Sequence, residues 1–272
     1  MKKIGIIAGK GSLPLMIASE AKKKGFHVVV IGLEPIADSI NGDFDRVYRI
    51  NVGKFGKLIN TLKKEGIKEV IMAGKVSKTL LYKSKLVPDM RALKVLMKLP
   101  DRRDDTILQA ITDELASEGI RLLETASLTD ELFIPEGVLT KRKPTGDERA
   151  DIEFGFKIAK EIGRLDIGQT VVVKDRAVMA VEAIEGTDEA IKRGGSLAKK
   201  GAVVVKVAKP QQDMRYDVPV VGLETLRSMK EVNASLLAAE AGKTILVDRE
   251  EVIEFADKNK ICVMGVKFRY DS

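Results

Sequence analysis

Histidine and cysteine are almost absent from this chain of 272 residues, which contains one of each. A single histidine cannot supply the ligand clusters of zinc or non-haem iron sites. Without a G-x-S-x-G turn it does not indicate a Ser-His-Asp hydrolase either. His27 opens a strand-like run and Cys262 lies in an apolar one, so both are interpreted as structural. Acid–base or metal chemistry is therefore expected from Asp, Glu, Lys or Tyr, with Mg²⁺ or Mn²⁺ as the default cation.

Tryptophan is also absent, and aromatic residues make up only 4% of the chain. Platforms for stacking nucleic-acid bases are therefore scarce. The net charge of +7 accordingly predicts a phosphate or an acidic membrane surface as the anionic partner, and not a nucleic acid. No run approaches the roughly 18 apolar residues of a membrane-spanning helix. The N-terminus also lacks the apolar region of a signal peptide, so we expect a cytoplasmic protein.

The first half of the chain alternates strand-like and helix-like segments. Apolar, β-branched runs predict strands at 3–8, 27–31, 46–50, 69–74 and 120–123. Amphipathic spacing predicts helices at 13–24, 53–65, 88–99 and 104–117. Strands that alternate with helices of this length predict a parallel sheet with right-handed crossovers, which is a Rossmann-like α/β domain.

The second half has a different pattern. Residues 170–174 and 177–181 read as a hairpin around a tight turn at Asp175-Arg176. Further segments predict helices at 147–162, 187–199 and 248–258, and strands at 202–207, 244–247 and 261–266. Thr187 is placed to cap the second of these helices. These features predict an α+β domain with a mixed sheet.

Prolines, glycines and the basic run 141–143 predict a linker between the two halves at residues 133–146. The predicted domains are therefore 1–134 and 135–272.

A glycine-rich turn joins the first strand to the first helix. It contains Gly9, Lys10, Gly11 and Ser12, and Pro14 follows near the start of the helix. Glycines allow the backbone to approach a phosphate, and a helix N-terminus supplies N–H groups with partial positive charge. The third glycine of the dinucleotide fingerprint is replaced by Pro14, and no Walker A motif is present. The turn predicts a nucleotide-phosphate site, with a merely tight strand–helix turn as the alternative.

A second loop is expected beside this one. Gly74 and Lys75 follow the fourth predicted strand. Loops at the carboxyl ends of parallel strands share one edge of the sheet, where ligands bind. Gly74 and Lys75 therefore form either a second wall of the phosphate site or an ordinary turn.

Two groups of carboxylates are candidates for metal binding. Asp104 and Asp105 follow two arginines and either cap a helix or hold Mg²⁺ beside a phosphate. The segment 209–219, which follows a buried-looking strand, concentrates Lys209, Gln212, Asp213, Arg215 and Asp217. Its two aspartates are predicted to bind a cation and activate water, and the alternative is a polar loop with internal salt bridges.

Taken in order, five segments of the chain resemble one family, the LpxI-type UDP-2,3-diacylglucosamine pyrophosphatases of lipid A synthesis. The matching segments are 7–14, 73–76, 104–105, 181–188 and 205–219. The last two are the most specific, and the resemblance extends over essentially the whole chain.

This resemblance implies a metal-dependent hydrolase that cleaves UDP-2,3-diacylglucosamine to UMP and 2,3-diacylglucosamine 1-phosphate (lipid X). It implies that the Rossmann-like domain binds the UDP part and the C-terminal domain binds the acylated sugar. An essential aspartate is expected at Asp213 or Asp217. With the residues above, the predicted substrate contacts are Gly9, Lys10, Gly11, Ser12, Gly74, Lys75, Lys209, Gln212 and Arg215. The predicted metal ligands are Asp104, Asp105, Asp213 and Asp217.

Two other functional classes remain open from the sequence: an oxidoreductase with an NAD-type cofactor, and a non-catalytic regulator that binds nucleotide or lipid. An amphiphilic substrate also predicts transient contact with the inner-membrane surface. A homodimer is the default expectation, because two-fold oligomers are common.

Overall fold

The computed structural model of the protein describes residues 1–37, 40–76, 88–97, 99, 104–215 and 217–267, with only the backbone at Asp104 and Asp105. The chain forms two compact units. The first comprises Met1–Thr129 and Met214–Tyr216, and the second comprises Asp130–Asp213 and Asp217–Ser272. One sheet is parallel and another is mixed, which confirms the predicted α/β class. Across these described ranges, no helix is both long and apolar enough to cross a bilayer.

The first unit is built on a five-stranded parallel sheet with the order β3-β2-β1-β4-β5. Its strands are β1 (Lys3–Ala8), β2 (His27–Glu34), β3 (Arg46–Asn51), β4 (Glu69–Ala73) and β5 (Arg121–Leu122). Each predicted strand is present, and β2 continues three residues beyond its predicted end. The order of the strands is that of a Rossmann sheet, whose direction of winding reverses between β1 and β4.

Helices cover both faces of this sheet. They are α1 (Leu13–Lys23), α2 (Phe55–Lys64), α3 (Met90–Met97), α4 (Asp104–Ser117) and the short α5 (Ala126–Thr129). Ile7 of β1 packs in one core cluster with Leu58 of α2 and Leu115 of α4. Neighbouring side chains of a strand point to opposite faces. Ile6 therefore faces the other side, where α1 packs against β1 and β2.

A network of charges ties three of these helices together at Glu118, just after α4. Its carboxylate accepts hydrogen bonds from Lys63 of α2 and Arg91 of α3. Arg91 also donates to Glu114, at 2.7 Å. The hydrogen bonds from Lys63 and Arg91 lower the pKa of Glu118 from 4.5 to about 2.

This network predicts how the protein responds to acid. A carboxyl whose pKa is lowered in the folded state stabilises the protein above its unfolded pKa and stops doing so as the pH falls through its folded pKa. The contribution of Glu118 should therefore disappear between about pH 4.5 and pH 2. We expect Glu118→Gln to unfold at a lower temperature than the wild type at pH 7. We also expect it to lose less stability than the wild type over the acid range, as measured by circular dichroism.

A surface pair provides the control for this experiment. Glu153 bonds to Lys157 one helical turn away, and both side chains are more than half exposed. Exposed pairs of this kind contribute little, so Glu153→Gln should melt like the wild type throughout. Equal acid losses in Glu118→Gln and the wild type would contradict the proposed role of Glu118.

The second unit is built on a six-stranded mixed sheet with the order β6-β13-β11-β9-β7-β8. Its strands are β6 (Gly137–Val138), β7 (Thr170–Lys174), β8 (Ala177–Val181), β9 (Val203–Lys206), β11 (Leu236–Glu240) and β13 (Cys262–Val266). β9, β11 and β13 are parallel to one another. β6 is antiparallel to β13, and β7 is antiparallel to both β9 and β8. A separate parallel pair joins β10 (Val220–Val221) to β12 (Ile245–Leu246).

Helices pack on both faces of the mixed sheet. They are α6 (Gly146–Arg164), α7 (Thr187–Ala198), α8 (Leu223–Glu231) and α9 (Arg249–Lys258). α6 covers one face, with Phe156 packed against Val205 and Leu236. Ile191 of α7 and Met229 of α8 lie in the core of the other face. Because β9 and β11 are parallel neighbours, their carboxyl ends lie at the same edge of the sheet, next to the residues that follow β9.

Residues 133–146 contain β6, and the Ile134 N–H donates to the carbonyl oxygen of Thr244, so these residues belong to the second unit. Two expectations for this half were wrong. Thr187 does not cap α7: the capping position is Gly186, at φ +87°, and the Thr187 side chain bonds elsewhere. Finally, the chain between β9 and residue 244 was not predicted to contain a strand, yet β11 lies near the centre of the sheet.

Other details of the sequence interpretation are confirmed. The hairpin turn Asp175-Arg176 has both residues at positive φ, +52° and +57°, as the twist of a two-residue hairpin requires. His27 begins β2, and its Nδ1 lies 3.6 Å from the Asp45 carboxylate. Cys262 is fully buried, and burial raises the pKa of its thiol. It is therefore a core residue and not a nucleophile.

Candidate functional site

The two predicted glycine loops lie side by side at the carboxyl edge of the parallel sheet. Lys10 and Lys75 form an antiparallel bridge in which each N–H donates to the other residue's carbonyl oxygen, at 3.0 and 2.9 Å. The Gly9 N–H donates to the Ala73 carbonyl oxygen, at 2.8 Å. The structure therefore joins the loops after β1 and β4 at the point where the winding of the sheet reverses, which is where α/β proteins bind ligands.

Close approach of the two backbones explains two of the glycines. A Cβ on Gly9 would lie 2.9 Å from the carbonyl carbon of Gly74. A Cβ on Gly74, which has a φ of +89°, would lie 2.8 Å from the carbonyl carbon of Gly9. Gly9 and Gly74 are thus required for the contact between the loops, whatever ligand the loops bind.

The outer part of the first loop is arranged differently. Gly11 has a φ of +106°, and a Cβ there would meet nothing within 4 Å. Ser12 precedes the first turn of α1, where N–H groups have no partner inside the helix. The side chains of Lys10 and Lys75 are exposed beside it. The described part of this edge thus combines two cations, an open glycine and a helix N-terminus, a combination suited to an anion.

The aspartate segment, residues 209–217, is held by hydrogen bonds within the second unit. Gln212 Oε1 accepts from the Lys209 N–H at 2.8 Å, and Gln212 Nε2 donates to Asp217 Oδ2 at 2.8 Å. The Asp217 N–H donates to the carbonyl oxygen of Asp213, at 3.0 Å. Lys209 Nζ bonds to Asp166 at 2.6 Å. The structure therefore brings Lys209, Gln212, Asp213 and Asp217 together in one bonded turn.

Met214 and Arg215 belong to the first unit instead. The Thr125 N–H donates to the Met214 carbonyl oxygen at 3.4 Å, and Arg215 Nη2 donates to Gln109 Oε1 at 3.3 Å. Arg215 was predicted to contact the substrate, and in this structure it contacts α4.

Beneath the aspartate segment lies a buried ion pair that sequence reasoning missed. Lys160 Nζ donates to Glu240 Oε2 at 2.6 Å, and both side chains are less than a tenth exposed. Lys160 also donates to the carbonyl oxygen of Ala208, at 2.8 Å, and the Ala208 N–H donates to Glu240 at 2.9 Å. Burial lowers the pKa of Lys160, and the hydrogen bond to Glu240 opposes that shift. The available signal was a glutamate that ends the apolar run 236–239.

A second buried polar chain lies at the same edge of the mixed sheet. Lys206 Nζ donates to Thr187 Oγ1 at 3.0 Å, and Thr187 donates to Glu182 Oε1 at 2.8 Å. Glu182 and Lys206 are both less than a tenth exposed. Thr187 and Glu182 both lie in the segment 181–188, and their side chains take part in this buried chain.

The predicted metal ligands are only partly visible. The side chains of Asp104 and Asp105 lie outside the described residues. Among the side chains that are described, no group of three or more His, Cys, Asp or Glu is arranged to hold a metal ion. Asp213 and Asp217 supply hard carboxylate oxygens from one turn. Because Mg²⁺ typically takes one or two carboxylates and completes its shell with water and substrate phosphate, this donor set fits such an ion.

Comparison with known families matches the chain twice. Residues 3–132 match the model of the LpxI N-terminal domain, and residues 135–264 match that of the LpxI C-terminal domain. A curated relative from Caulobacter vibrioides, UDP-2,3-diacylglucosamine pyrophosphatase LpxI, is 37% identical over 279 aligned positions, which cover 98% of each chain.

Solved structures match less closely. A GalE-like L-threonine dehydrogenase from Cupriavidus necator has a TM-score of 0.29 and 14% identity, over 43% of this chain and 34% of its own. An N5-carboxyaminoimidazole ribonucleotide synthetase from Thermotoga maritima has a TM-score of 0.24 and 21% identity, over 70% of this chain and 44% of its own. Likeness at this level has no bearing on function.

Proposed function

The chain belongs to the LpxI family, and from that membership we propose that it is a hydrolase that cleaves the diphosphate of UDP-2,3-diacylglucosamine to UMP and 2,3-diacylglucosamine 1-phosphate. One observation carries the proposal. The Caulobacter vibrioides relative named for this activity matches 98% of the chain at 37% identity. Both units of the protein are therefore covered, including the aspartate segment.

For the first unit we propose that the joined glycine loops bind the uridine diphosphate part of the substrate. The geometry supports this role, because Gly11 leaves open space beside the N-terminus of α1 and the exposed Lys10 and Lys75 add positive charge. In this proposal Gly9 and Gly74 shape the site without touching the ligand. Ser12 would contribute its hydroxyl or its N–H group.

For the second unit we propose that Asp213 and Asp217 hold a divalent cation, Mg²⁺ or Mn²⁺, with Asp104 and Asp105 as further candidate ligands. When bound, such an ion neutralises charge on a diphosphate and lowers the pKa of water. Gln212 orients Asp217 through its 2.8 Å hydrogen bond. Lys209, and Arg215 from the first unit, are the proposed cationic contacts to the substrate.

Exposed aliphatic side chains near this segment are proposed to contact the acyl chains. Leu165 is 59% exposed, Ile167 46% and Ile184 94%. Leu165 and Ile167 flank Asp166, which bonds to Lys209. The loop of Ile184 lies close to that of Ile167, since Gly168 is packed against the carbonyl of Glu182. An apolar surface here would also favour transient contact with the inner-membrane surface.

The proposal predicts metal-dependent turnover. Purified protein with Mg²⁺ should release UMP from UDP-2,3-diacylglucosamine, detected by chromatography. An excess of EDTA should abolish release, because the carboxylates alone do not neutralise a diphosphate. Mg²⁺ or Mn²⁺ added back should restore it.

UDP-glucose serves as the control substrate, since it has the same diphosphate and no acyl chains. We expect it to be cleaved far more slowly, because binding energy from the remote acyl chains contributes to the chemical step. A folded protein that releases no UMP with either ion would refute the proposed reaction. Full activity in EDTA would refute the proposed metal requirement and leave the proposed reaction standing.

A further inference from the structure

We infer that the buried ion pair of Lys160 and Glu240 is a positioning device that fixes the root of the aspartate segment and thereby the catalytic geometry. This inference rests on the proposed function for its kinetic consequences, but its structural consequence can be measured separately. Neither residue is among the predicted site residues, and neither touches the proposed cation or substrate.

The ion pair supplies hydrogen-bond partners to the backbone just past the end of β9. β9 ends at Lys206, and the last ladder-like bond runs from the Val207 N–H to the carbonyl oxygen of Gln169, at 3.0 Å. Ala208 is the next residue and is 2% exposed. A buried backbone N–H and carbonyl need partners. Glu240 accepts from the first and Lys160 donates to the second.

The two partners come from rigid elements. Lys160 lies on α6, and Glu240 is the last residue of β11, directly beside β9. The chain leaves Ala208 along α6, because a Cβ on Gly163 would lie 3.3 Å from Lys209 Cα and 3.4 Å from Pro210 Cδ. Gln211 donates to the carbonyl oxygen of Gly163, at 2.9 Å. The direction in which the segment leaves the sheet is therefore set by Lys209 and Pro210, the two residues after Ala208.

An ion pair with a purely structural role would affect only the stability of the protein. The test therefore measures stability separately from the positioning of the aspartate segment. Glu240→Gln leaves the buried Lys160 ammonium without its carboxylate. Lys160→Met leaves the buried Glu240 carboxylate with the half-exposed Lys243, whose Nζ lies 3.0 Å from Oε1. Both variants should be destabilised, Glu240→Gln the more strongly. The double variant has no buried charge and should regain much of that stability. It should not regain activity, since the Ala208 carbonyl still lacks its donor. We expect kcat about 10²-fold below the wild type in Lys160→Met and in the double variant, with KM changed much less. Glu240→Gln keeps both hydrogen-bond partners of Ala208 and should lose less activity than either.

Arg142→Met is the matched control. Arg142 bonds to Glu148 at 2.6 Å, and the Glu148 side chain is 8% exposed, but this pair lies at the opposite end of α6. Arg142→Met removes the cation beside a buried carboxylate, which keeps its hydrogen bonds from Ser235 and from the Thr145 N–H, and should lower the melting temperature. Its kcat, measured well below that temperature, should equal the wild-type value.

Hydrogen exchange followed by mass spectrometry provides a readout that does not depend on activity. In the Lys160→Met and double variants, the amides of Lys209 and of residues 211–213 should exchange at least about 10-fold faster than in the wild type, and in Arg142→Met they should not. Unchanged exchange there, or full kcat in the double variant, would overturn the inference. If the wild type releases no UMP, the proposed function fails, and the exchange data still decide whether the pair holds the segment.

Discussion

Replacing either aspartate of the segment, by Asp213→Asn or by Asp217→Asn, is expected to lower kcat/KM for UDP-2,3-diacylglucosamine on the order of 10³-fold, within the range typical of lost acid–base or metal-assisted catalysis. The amide keeps the shape of the side chain and removes its charge. At position 217 it can still accept the hydrogen bond from Gln212. The loss therefore reports on charge and cation binding, and not on the fold of the turn.

The control for this pair is the same substitution at Asp175. That carboxylate is 75% exposed at the hairpin turn, at a φ of +52°, where asparagine is well tolerated. Asp175→Asn should keep full activity. Raising the Mg²⁺ concentration should partly rescue a variant that has lost a metal ligand. Near-full activity in both Asp213→Asn and Asp217→Asn would sink the assignment of catalysis to this segment.

Gly74→Ala is expected to destabilise the first unit by roughly 2–4 kcal/mol and to abolish nucleotide binding. Two effects add. The backbone is at φ +89°, and the new Cβ would lie 2.8 Å from the carbonyl carbon of Gly9 and 2.9 Å from the oxygen of Lys10. Neither atom belongs to a side chain that can rotate away, so the bridge between the loops must open.

Gly25→Ala separates these two effects. Gly25 has a similar φ of +79°, but a Cβ there would meet nothing within 4 Å. It should cost only the backbone strain, about 1–2 kcal/mol. Urea unfolding gives the free energy for both variants, and calorimetry with UDP gives the affinity. Equal costs at positions 25 and 74 would show that the contact between the loops contributes nothing.

The parts of the fold that the sequence predicts well are those in which local pattern and tertiary structure agree. β1, α1 and β2 have continuous apolar or amphipathic spacing, and the structure places them within a few residues of the prediction. β11 was missed because its sequence, Leu-Leu-Ala-Ala-Glu, is made of residues that favour helices. Its strand conformation comes from pairing with β9 and β13 on either side, which no local pattern reveals.

The candidate site divides in the same way. Glycines and aspartates in short bounded loops attract attention in a sequence, so the loops at residues 9–12, 74–75 and 209–217 were found directly. Lys160 and Glu240 were not, because they are 80 residues apart and each resembles an ordinary surface residue. The same holds for the chain from Lys206 through Thr187 to Glu182. Buried polar partners become recognisable only when the fold brings distant segments together.

The pairing of β6 with β13 has a consequence for synthesis on the ribosome. The sheet of the first unit is complete once residue 122 has emerged. In the second unit, β6 at residues 137–138 waits for its partner at 262–266, and β11 lacks one neighbour until the same strand arrives. At about 5–20 residues per second, the nascent second unit presents open strand edges for on the order of ten seconds after the first sheet can form. During that interval the nascent chain exposes the most unpaired strand edge to chaperones.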